Sequence, residues 1–262
     1  MADPRPDYGI DAPGVIRNLA VAGGILLVVA IAATLGLIPA QAPLWGGGEG
    51  AGVQLAIAPS AFPAGFSLCA AACWMYFGSR FGKIAEREKL VSRLAWRGDE
   101  RVLDIGCGRG LMLVGAARRL TTGTAVGIDI WNAEDLSGNT AEVPLRNAEI
   151  EGVGARVSVE TADMRHLPFP DASFDVVVSR AAIHNLYHDA ERADAIAEIA
   201  RILKPGGRAL IWDIRHLDEY AREFETAGCS ARLLESRLRS VMTALMTMGK
   251  MRPNTLLASR AA

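Results

Sequence analysis

The 62 residues from 18 to 79 carry only one charged side chain, that of Glu49. Within them, residues 19–40 form an uncharged run of 22 residues, about the length that an α-helix needs to cross the hydrocarbon core of a bilayer. A second apolar run covers about residues 59–79, and Trp74 and Tyr76 near its end suit a membrane interface. The pattern predicts a hairpin of two transmembrane helices over residues 17–80, preceded by an N-terminal tail of residues 1–16.

The apolar runs have alternative interpretations. A cleaved signal peptide is disfavoured, because the first run is too long and no small-residue cleavage site leads into a secreted domain. The second run contains Pro59 and Pro63, so a re-entrant or tilted segment is an alternative to a full span. Basic residues flank both runs, whereas the linker between them contains Gly46, Gly47 and Gly48 and no basic residue. By the positive-inside rule we expect an integral, two-pass protein with both ends, and the domain that follows, in the cytoplasm. The flanking basic residues are Arg17, Arg80, Lys83, Arg87 and Lys89.

A glycine-rich segment follows, Val102-Leu103-Asp104-Ile105-Gly106-Cys107-Gly108-Arg109-Gly110. An apolar run that ends in an acid and is followed by three alternate glycines indicates a strand, a tight turn and the start of a helix. Glycine lacks a Cβ atom, so the backbone can turn sharply and approach a bound cofactor closely. The helix start then offers free N–H groups to that cofactor.

Strands alternate with helices from residue 101 onward, which indicates an α/β domain over residues 81–262 with a parallel sheet covered on both faces. Ligands of such sheets bind beyond the carboxyl ends of the strands. The strands are predicted at residues 101–105, 125–130, 157–161, 174–179 and 209–213. The helices are predicted at residues 111–120, 141–151, 191–203 and 217–227.

Two further segments carry open interpretations. Residues 131–140 are either a lid over a cofactor or a plain loop that ends in a helix cap. Within residues 238–246, five apolar residues have the spacing of one helix face and indicate either core packing or a contact with an apolar substrate or lipid. They are Leu238, Val241, Met242, Leu245 and Met246.

Acidic residues follow the second and third predicted strands. Asp129 ends the second strand, 21 residues after Gly108, where an acid can take both hydroxyls of a ribose. A dinucleotide-dependent enzyme would fit this pair equally well, but Leu111 stands where the dinucleotide fingerprint requires its third glycine. Asp163 directly follows the third strand, and residues 202–207, Ile-Leu-Lys-Pro-Gly-Gly, precede the fifth.

These motifs, in this order, resemble those of class I S-adenosylmethionine-dependent methyltransferases over about residues 86–260. The resemblance implies a Rossmann-like sheet of seven strands with the last one antiparallel, here preceded by two transmembrane helices that are not part of the family pattern. Residues 230–236 and 254–259 are the segments expected to form its last two strands. It also implies S-adenosylmethionine as cofactor. By this resemblance, Gly106, Cys107 and Gly108 cradle the methionine part of the cofactor, and Asp104 orients its ammonium. Asp129 holds the ribose, Ile130 packs on adenine, and Asp163 accepts a hydrogen bond from the adenine amine beside Met164. Ser179 and Arg180 border the methyl group.

The candidate catalytic residues lie just after the fourth predicted strand. Methyl transfer is an in-line displacement that needs alignment of donor and acceptor, and a general base only if the acceptor must lose a proton. His184 is the leading candidate for that base or for an acceptor-orienting group, although it is also placed to pack or cap a helix start. Arg180 and Asn185 complete the set of candidate catalytic residues. His188 is expected to pair with Asp189 at the surface. A second polar cluster, at the end of the fifth predicted strand, comprises Asp213, Arg215 and His216.

Composition excludes some functions. The net charge of −1 offers no electrostatic case for nucleic acid, and no Cys/His spacing indicates a metal site. An Asn/Asp-Pro-Pro-Tyr signature for amide or base nitrogens is missing, since Ser179 and Arg180 begin the corresponding segment.

Membrane anchoring favours a small lipophilic acceptor, such as a lipid, quinone or terpenoid, with the bilayer itself as a partner. A soluble thiol or amine acceptor and a non-catalytic cofactor-binding subunit stay open, and the oligomeric state is not predicted.

Overall fold

The structure, a computed structural model, describes residues 5–45, 53–132, 138–234 and 252–262. The chain divides into two compact units: residues 10–82 form one, and residues 1–9 together with residues 83–262 form the other. Several sequence predictions fall wholly or partly outside the described residues. They include the start of the N-terminal tail, the glycine-rich linker turn, the centre of the proposed lid, the end of the predicted strand 230–236, and the helical stripe from Leu238 to Met246.

The smaller unit is built from two long apolar helices, α1 (Pro13–Thr34) and α2 (Ile57–Phe77). They pack most closely at glycines: a Cβ atom added to Gly23 would lie 2.6 Å from Sγ of Cys69 and 2.9 Å from the carbonyl oxygen of Gly65. Between the helices, strands β1 (Gln41–Trp45) and β2 (Val53–Ala56) pair in antiparallel fashion, an element that the sequence analysis did not predict. A π-helical turn, Gly78–Gly82, follows α2.

The larger unit contains a single seven-stranded sheet among the described residues. Its strands are β3 (Arg101–Ile105), β4 (Thr124–Asp129), β5 (Val157–Thr161), β6 (Phe174–Arg180), β7 (Leu203–Asp213), β8 (Cys229–Leu233) and β9 (Asn254–Arg260). Their order is β5-β4-β3-β6-β7-β9-β8. The pairs among β3 to β7 are parallel, whereas β9 runs antiparallel to both of its neighbours. The predicted seven-stranded sheet with an antiparallel last strand is therefore confirmed.

Helices cover this sheet on both faces. They are α3 (Lys83–Val91), α4 (Leu111–Ala117), α5 (Glu142–Ile150), α6 (Asp189–Ile202) and α7 (Leu217–Thr226). Successive residues of a strand point to opposite faces, and Leu103 accordingly joins one buried apolar cluster while Val102 joins the other. The near-continuous burial of β3, β4 and β6 explains why these strands read as apolar runs in the sequence.

One strand begins earlier than predicted. β7 starts at Leu203 rather than at residue 209, because Leu203 already pairs with Phe174 before an irregularity, and regular pairing resumes where Arg208 faces Val176. The Pro-Gly-Gly sequence thus lies within this strand. Since β3 to β7 are parallel, their carboxyl ends share one edge of the sheet, and the loops with the predicted site residues leave from that edge.

Candidate active site

The glycine loop between β3 and α4 has a backbone that only glycine fits without strain. At Gly106 φ is +64°, and an added Cβ atom would lie 2.3 Å from Cβ of Ala182 in the loop after β6. The loop is also tied to the next strand, because the N–H of Cys107 donates to the carbonyl oxygen of Ile128 at 2.9 Å. Burial raises the pKa of the Cys107 thiol well above its usual range, so this side chain stays neutral and packs.

Asp104 lies at the carboxyl end of β3 and is almost wholly buried. Burial raises the pKa of its carboxyl well above the usual range. Among the described residues, its Oδ2 atom has no hydrogen-bond partner. Because an unpaired buried oxygen is costly, the site favours a ligand that brings its own donor, as the ammonium of a methionine moiety does.

Asp129, at the end of β4, is held in place by backbone and side-chain donors. Its Oδ2 accepts the N–H of Gly108 at 2.8 Å, which joins it directly to the glycine loop. Its Oδ1 accepts the N–H of Trp131 at 2.8 Å and the side-chain amide of Asn139 at 3.1 Å. A carboxylate offers about four acceptor positions, so one stays available for a ribose hydroxyl. The sequence analysis did not identify Asn139, whose role depends on the path of the loop.

Two apolar residues follow Asp129. The side chain of Ile130 is 59% exposed, as expected of a surface on which a flat ring would pack. Trp131 has φ of +58°, an uncommon value for a residue other than glycine, and its indole N–H donates to Oγ1 of Thr161 at 2.8 Å. The backbone at Trp131 therefore turns sharply at the point where the proposed lid begins.

Asp163, after β5, is engaged by a neighbouring arginine. Nη2 of Arg165 donates to Oδ2 of Asp163 at 2.6 Å, and the backbone N–H of Arg165 donates to Oδ1 at 2.9 Å. Hydrogen bonds from Arg165 hold the pKa of this carboxyl below its usual range. Arg165 also pairs with Glu191. An adenine amine would have to share Asp163 with Arg165, a residue that the sequence analysis did not single out. Met164 packs against the buried core beside them.

Ser179 and Arg180, at the end of β6, both have partners within the domain. The buried hydroxyl of Ser179 donates to the carbonyl oxygen of Ile105 at 2.9 Å and links β6 to β3. Nη2 of Arg180 donates to Oε2 of Glu86 at 2.6 Å, and its guanidinium lies 4.7 Å from the ring centroid of Trp212. The contacts to Glu86 and Trp212, which hold Arg180, were not predicted.

The structure brings His184 together with Asp213. Asp213 is fully buried at the end of β7, and its Oδ2 accepts the backbone N–H of His184 at 3.1 Å. Nδ1 of His184 lies 2.6 Å from Oδ1 of Asp213, although Nδ1 has no partner in aligned hydrogen-bond geometry. The imidazole and the carboxylate therefore form a close pair without an aligned hydrogen bond. The His184 side chain stays 13% exposed. Burial raises the pKa of the adjacent Tyr220, so its phenol stays protonated.

The remaining candidate residues of the loop after β6 lie at the protein surface. Asn185 and Tyr187 are exposed, and Tyr187 is 90% accessible. His188 precedes α6, where its N–H donates to Oε2 of Glu191 at 3.3 Å. The predicted partner of His188, Asp189, instead pairs with Arg192. Within the described parts of the chain, no group of three His, Cys, Asp or Glu residues is placed to hold a metal ion.

Comparison with known proteins identifies the class of this domain. Residues 103–211 match the family described as a methyltransferase domain. Methyltransferase GfsG of Streptomyces halstedii is 39% identical over 127 residues, which are 48% of this chain and 42% of that protein. The ubiquinone/menaquinone biosynthesis C-methyltransferase UbiE of Geobacter sulfurreducens is 32% identical over 128 residues, which are 48% of this chain and 46% of that protein. The matched stretch thus spans less than half the length of either relative.

A solved structure shows the same fold. The YcgJ protein of Bacillus subtilis superposes on 68% of this chain and 99% of its own with a TM-score of 0.54 and 20% sequence identity. The family match and the relatives identify residues 103–211 as a methyltransferase domain, and the solved structure shows that the larger unit has the same fold. The family resemblance found in the sequence motifs is confirmed.

Proposed function

We propose that this chain is a membrane-anchored, S-adenosylmethionine-dependent methyltransferase that acts on a small lipophilic acceptor. The observation that carries the proposal is the buried carboxyl group of Asp104 beside the glycine loop, because one of its oxygens has no partner among the described residues. A ligand with an ammonium group would donate a hydrogen bond to that buried oxygen, and such a ligand is expected in a methyltransferase domain.

The residues around the loop fit S-adenosylmethionine along its length. Asp104 faces the ammonium, and the backbone of Gly106 and Gly108 cradles the methionine part. Asp129 takes a ribose hydroxyl with its remaining acceptor position, while the exposed side chain of Ile130 lies against adenine. Asp163 receives the adenine amine, with Arg165 limiting its freedom.

Methyl transfer requires the protein to align the methyl donor with the acceptor and to remove a proton from the acceptor. When bound, S-adenosylmethionine supplies a methyl group on a cationic sulfur, which is already a good leaving group. His184 accepts the proton of an acceptor hydroxyl or of an acidic carbon, and Asp213 orients the imidazole and stabilises its protonated form. Arg180, fixed by Glu86, and the exposed amide of Asn185 border the acceptor.

The membrane part of the proposal rests on the two long helices of the smaller unit. Candidate spans are Pro13–Thr34, with a mean hydropathy of 2.2, and Ile57–Val91, with a mean hydropathy of 1.3. Length and composition alone would also admit a signal sequence or a buried core helix. Large apolar side chains on both helices are exposed, which is unfavourable in water and expected in lipid. They include Val21, Ile25, Val28, Ile31, Phe62, Phe66 and Trp74.

A lipophilic acceptor follows from anchoring and from the relatives. A domain tethered to a bilayer meets apolar molecules at high local concentration. The name of the UbiE relative describes a C-methyltransferase of ubiquinone and menaquinone biosynthesis, so one relative acts in the synthesis of lipophilic quinones. The exposed phenol of Tyr187, close in sequence to His184, adds an amphipathic side chain to the loop after β6.

Cofactor binding and membrane insertion can be tested separately. We expect the full-length protein in nanodiscs to bind S-adenosylmethionine in calorimetry, and Asp129→Ala to weaken that binding about ten- to hundredfold, the usual range for hydrogen bonds to a charged group. Asp171→Ala, which removes an exposed partner of Arg201, is the matched control and should bind like the wild type. Unchanged binding in Asp129→Ala would refute the assignment of that residue, and release of the protein by alkaline carbonate would refute the anchor.

A further inference from the structure

Residues 5–9 belong to the same compact unit as the glycine loop, although Asp7 and Arg109 are 102 residues apart in sequence and residues 10–82 form the other unit. Asp7 is the centre of this contact. Its backbone N–H donates to Oδ1 of Asn147 at 2.9 Å, and its carbonyl oxygen accepts from Nδ2 of Asn147 at 2.9 Å. Asn147 lies on α5 and is buried.

Arg109 joins this contact to the cofactor loop. It stands between Gly108 and Gly110, and its Nε donates to the carbonyl oxygen of Asp7 at 3.0 Å. Its guanidinium also pairs with the Asp7 carboxylate. The carbonyl oxygen of Arg109 in turn accepts from Nδ2 of Asn147 at 2.9 Å. Asp7 thus holds the side chain of this loop residue, and Asn147 holds its backbone.

The neighbouring residue, Tyr8, anchors the segment. Its buried ring lies 5.6 Å from the guanidinium of Arg87, and its hydroxyl bonds to Glu151. Arg87 donates to Oε1 and Oε2 of Glu151 at 2.7 and 3.0 Å. Nζ of Lys83 donates to the carbonyl oxygens of Tyr8 and Gly9 at 2.9 and 3.0 Å. Buried charged groups with this many partners fix the position of the N-terminal segment firmly.

We propose that Asp7 is a positioning residue for the cofactor, acting through Arg109 to hold the glycine loop in its binding conformation. The inference rests on the proposed function, since it concerns the affinity for S-adenosylmethionine. A loop that is already ordered loses less conformational freedom when its ligand binds, and the ligand therefore binds more tightly. Residues 5–9 are therefore proposed to be part of the cofactor site.

The test compares Asp7→Ala with the wild type as full-length proteins in nanodiscs. We expect the Kd and KM for S-adenosylmethionine to rise roughly three- to fivefold, the range of a partly exposed ion pair, while kcat and the thermal unfolding midpoint stay unchanged. Asp7→Glu should recover part of the affinity. Asp99→Ala, which breaks the exposed pair with Arg97, is the matched control and should bind like the wild type.

A double-mutant cycle identifies the route. If Asp7 acts through Arg109, Asp7→Ala should cause no further loss of affinity in an Arg109→Ala background. An unchanged Kd in Asp7→Ala, or an equal loss in both backgrounds, would overturn the inference while leaving the proposed function intact. A wild-type protein that binds no S-adenosylmethionine would overturn both.

Discussion

Nδ1 of His184 lies 2.6 Å from Oδ1 of Asp213, and the other oxygen of the same carboxylate accepts the backbone N–H of His184. One buried acid therefore holds both the ring and the main chain of the histidine at the carboxyl edge of the sheet. An imidazole that gains a proton beside this carboxylate gains a charge partner at the same time. This arrangement suits an acceptor that must lose a proton during methyl transfer.

Asp213→Asn and His184→Ala should each lower kcat about 100-fold, the lower end of the contribution of a general base, with little change in the Kd for S-adenosylmethionine. Turnover of an identified acceptor and calorimetry of cofactor binding measure the two effects. Tyr220→Phe is the matched control, because it removes only a hydroxyl 3.4 Å from Oδ2 of Asp213 and leaves the pair in place. Parallel losses of turnover and cofactor affinity would mean that His184 has a structural role.

Gly106→Ala should destabilise the domain and weaken cofactor binding, because the new Cβ atom would lie 2.3 Å from Cβ of Ala182 and φ is +64°. Gly152→Ala isolates the cost of the positive φ from that of the steric clash, since φ there is +73° and an added Cβ atom meets nothing within 4 Å. We expect a loss of about 1–2 kcal/mol in the free energy of unfolding for Gly152→Ala and a larger loss for Gly106→Ala.

A compensating substitution separates the clash at Gly106 from its backbone conformation. Adding Ala182→Gly to Gly106→Ala should recover the difference between the two glycine variants in urea unfolding, since only the contact is relieved. A double variant as unstable as Gly106→Ala alone would show that the loop after β6 does not limit the space at Gly106.

Glu151→Gln should lower the free energy of unfolding by about 3 kcal/mol at pH 7, because it removes the charge that pairs with the buried guanidinium of Arg87. Burial alone would raise the pKa of Glu151, but hydrogen bonds from Arg87 and Tyr8 outweigh it and hold the pKa below its usual range. A lowered folded-state pKa gives stability that is present above the unfolded value, about 4.3, and is lost as the pH falls through the folded value.

The difference between wild type and Glu151→Gln should therefore shrink below about pH 4. Chemical unfolding from pH 7 to pH 3 measures it. Glu160→Gln, at an exposed position on β5, should follow the wild type throughout. A gap between wild type and Glu151→Gln that stays constant with pH would contradict the ion pair as the source of the stability.

The N-terminal contacts also predict how the hairpin can be removed. A short linker in place of residues 10–82 should leave a soluble domain that binds S-adenosylmethionine like the full-length protein, because the carbonyl oxygen of Gly9 already lies 3.0 Å from Nζ of Lys83. A chain that begins at Lys83 should bind it more weakly, because Asp7 and Tyr8 are then missing. Calorimetry on both shortened chains measures the difference, and failure of both to fold would show that the larger unit requires the hairpin.

Local sequence patterns were sufficient to predict the sheet. β3, β4 and β6 are buried on both faces, so their apolar runs and the glycines that follow are visible without knowledge of the fold. The order of motifs then placed Asp104, Asp129 and Asp163 at one edge. The early start of β7 was missed, because a Lys-Pro-Gly-Gly sequence is typical of a turn and its pairing partner lies in another strand.

Side-chain partners could not be predicted in the same way. Asp213 is 29 residues from His184, and Asn147 is 140 residues from Asp7, so neither contact leaves a local pattern. Spacing alone did not show that Arg165 engages Asp163 or that Ser179 bonds to β3. These contacts form in the folded chain, and they decide which predicted residues remain available to a ligand.

Transfer of label from methyl-labelled S-adenosylmethionine tests the central claim most directly. The full-length protein in nanodiscs is offered separate lipid and aqueous extracts of its host, with His184→Ala as the control for chemistry at this site. The account predicts label in the lipid extract with the wild type and a strong loss of label with His184→Ala. Label only in the aqueous extract would contradict a lipophilic acceptor, and bound cofactor without label in either extract would contradict catalysis.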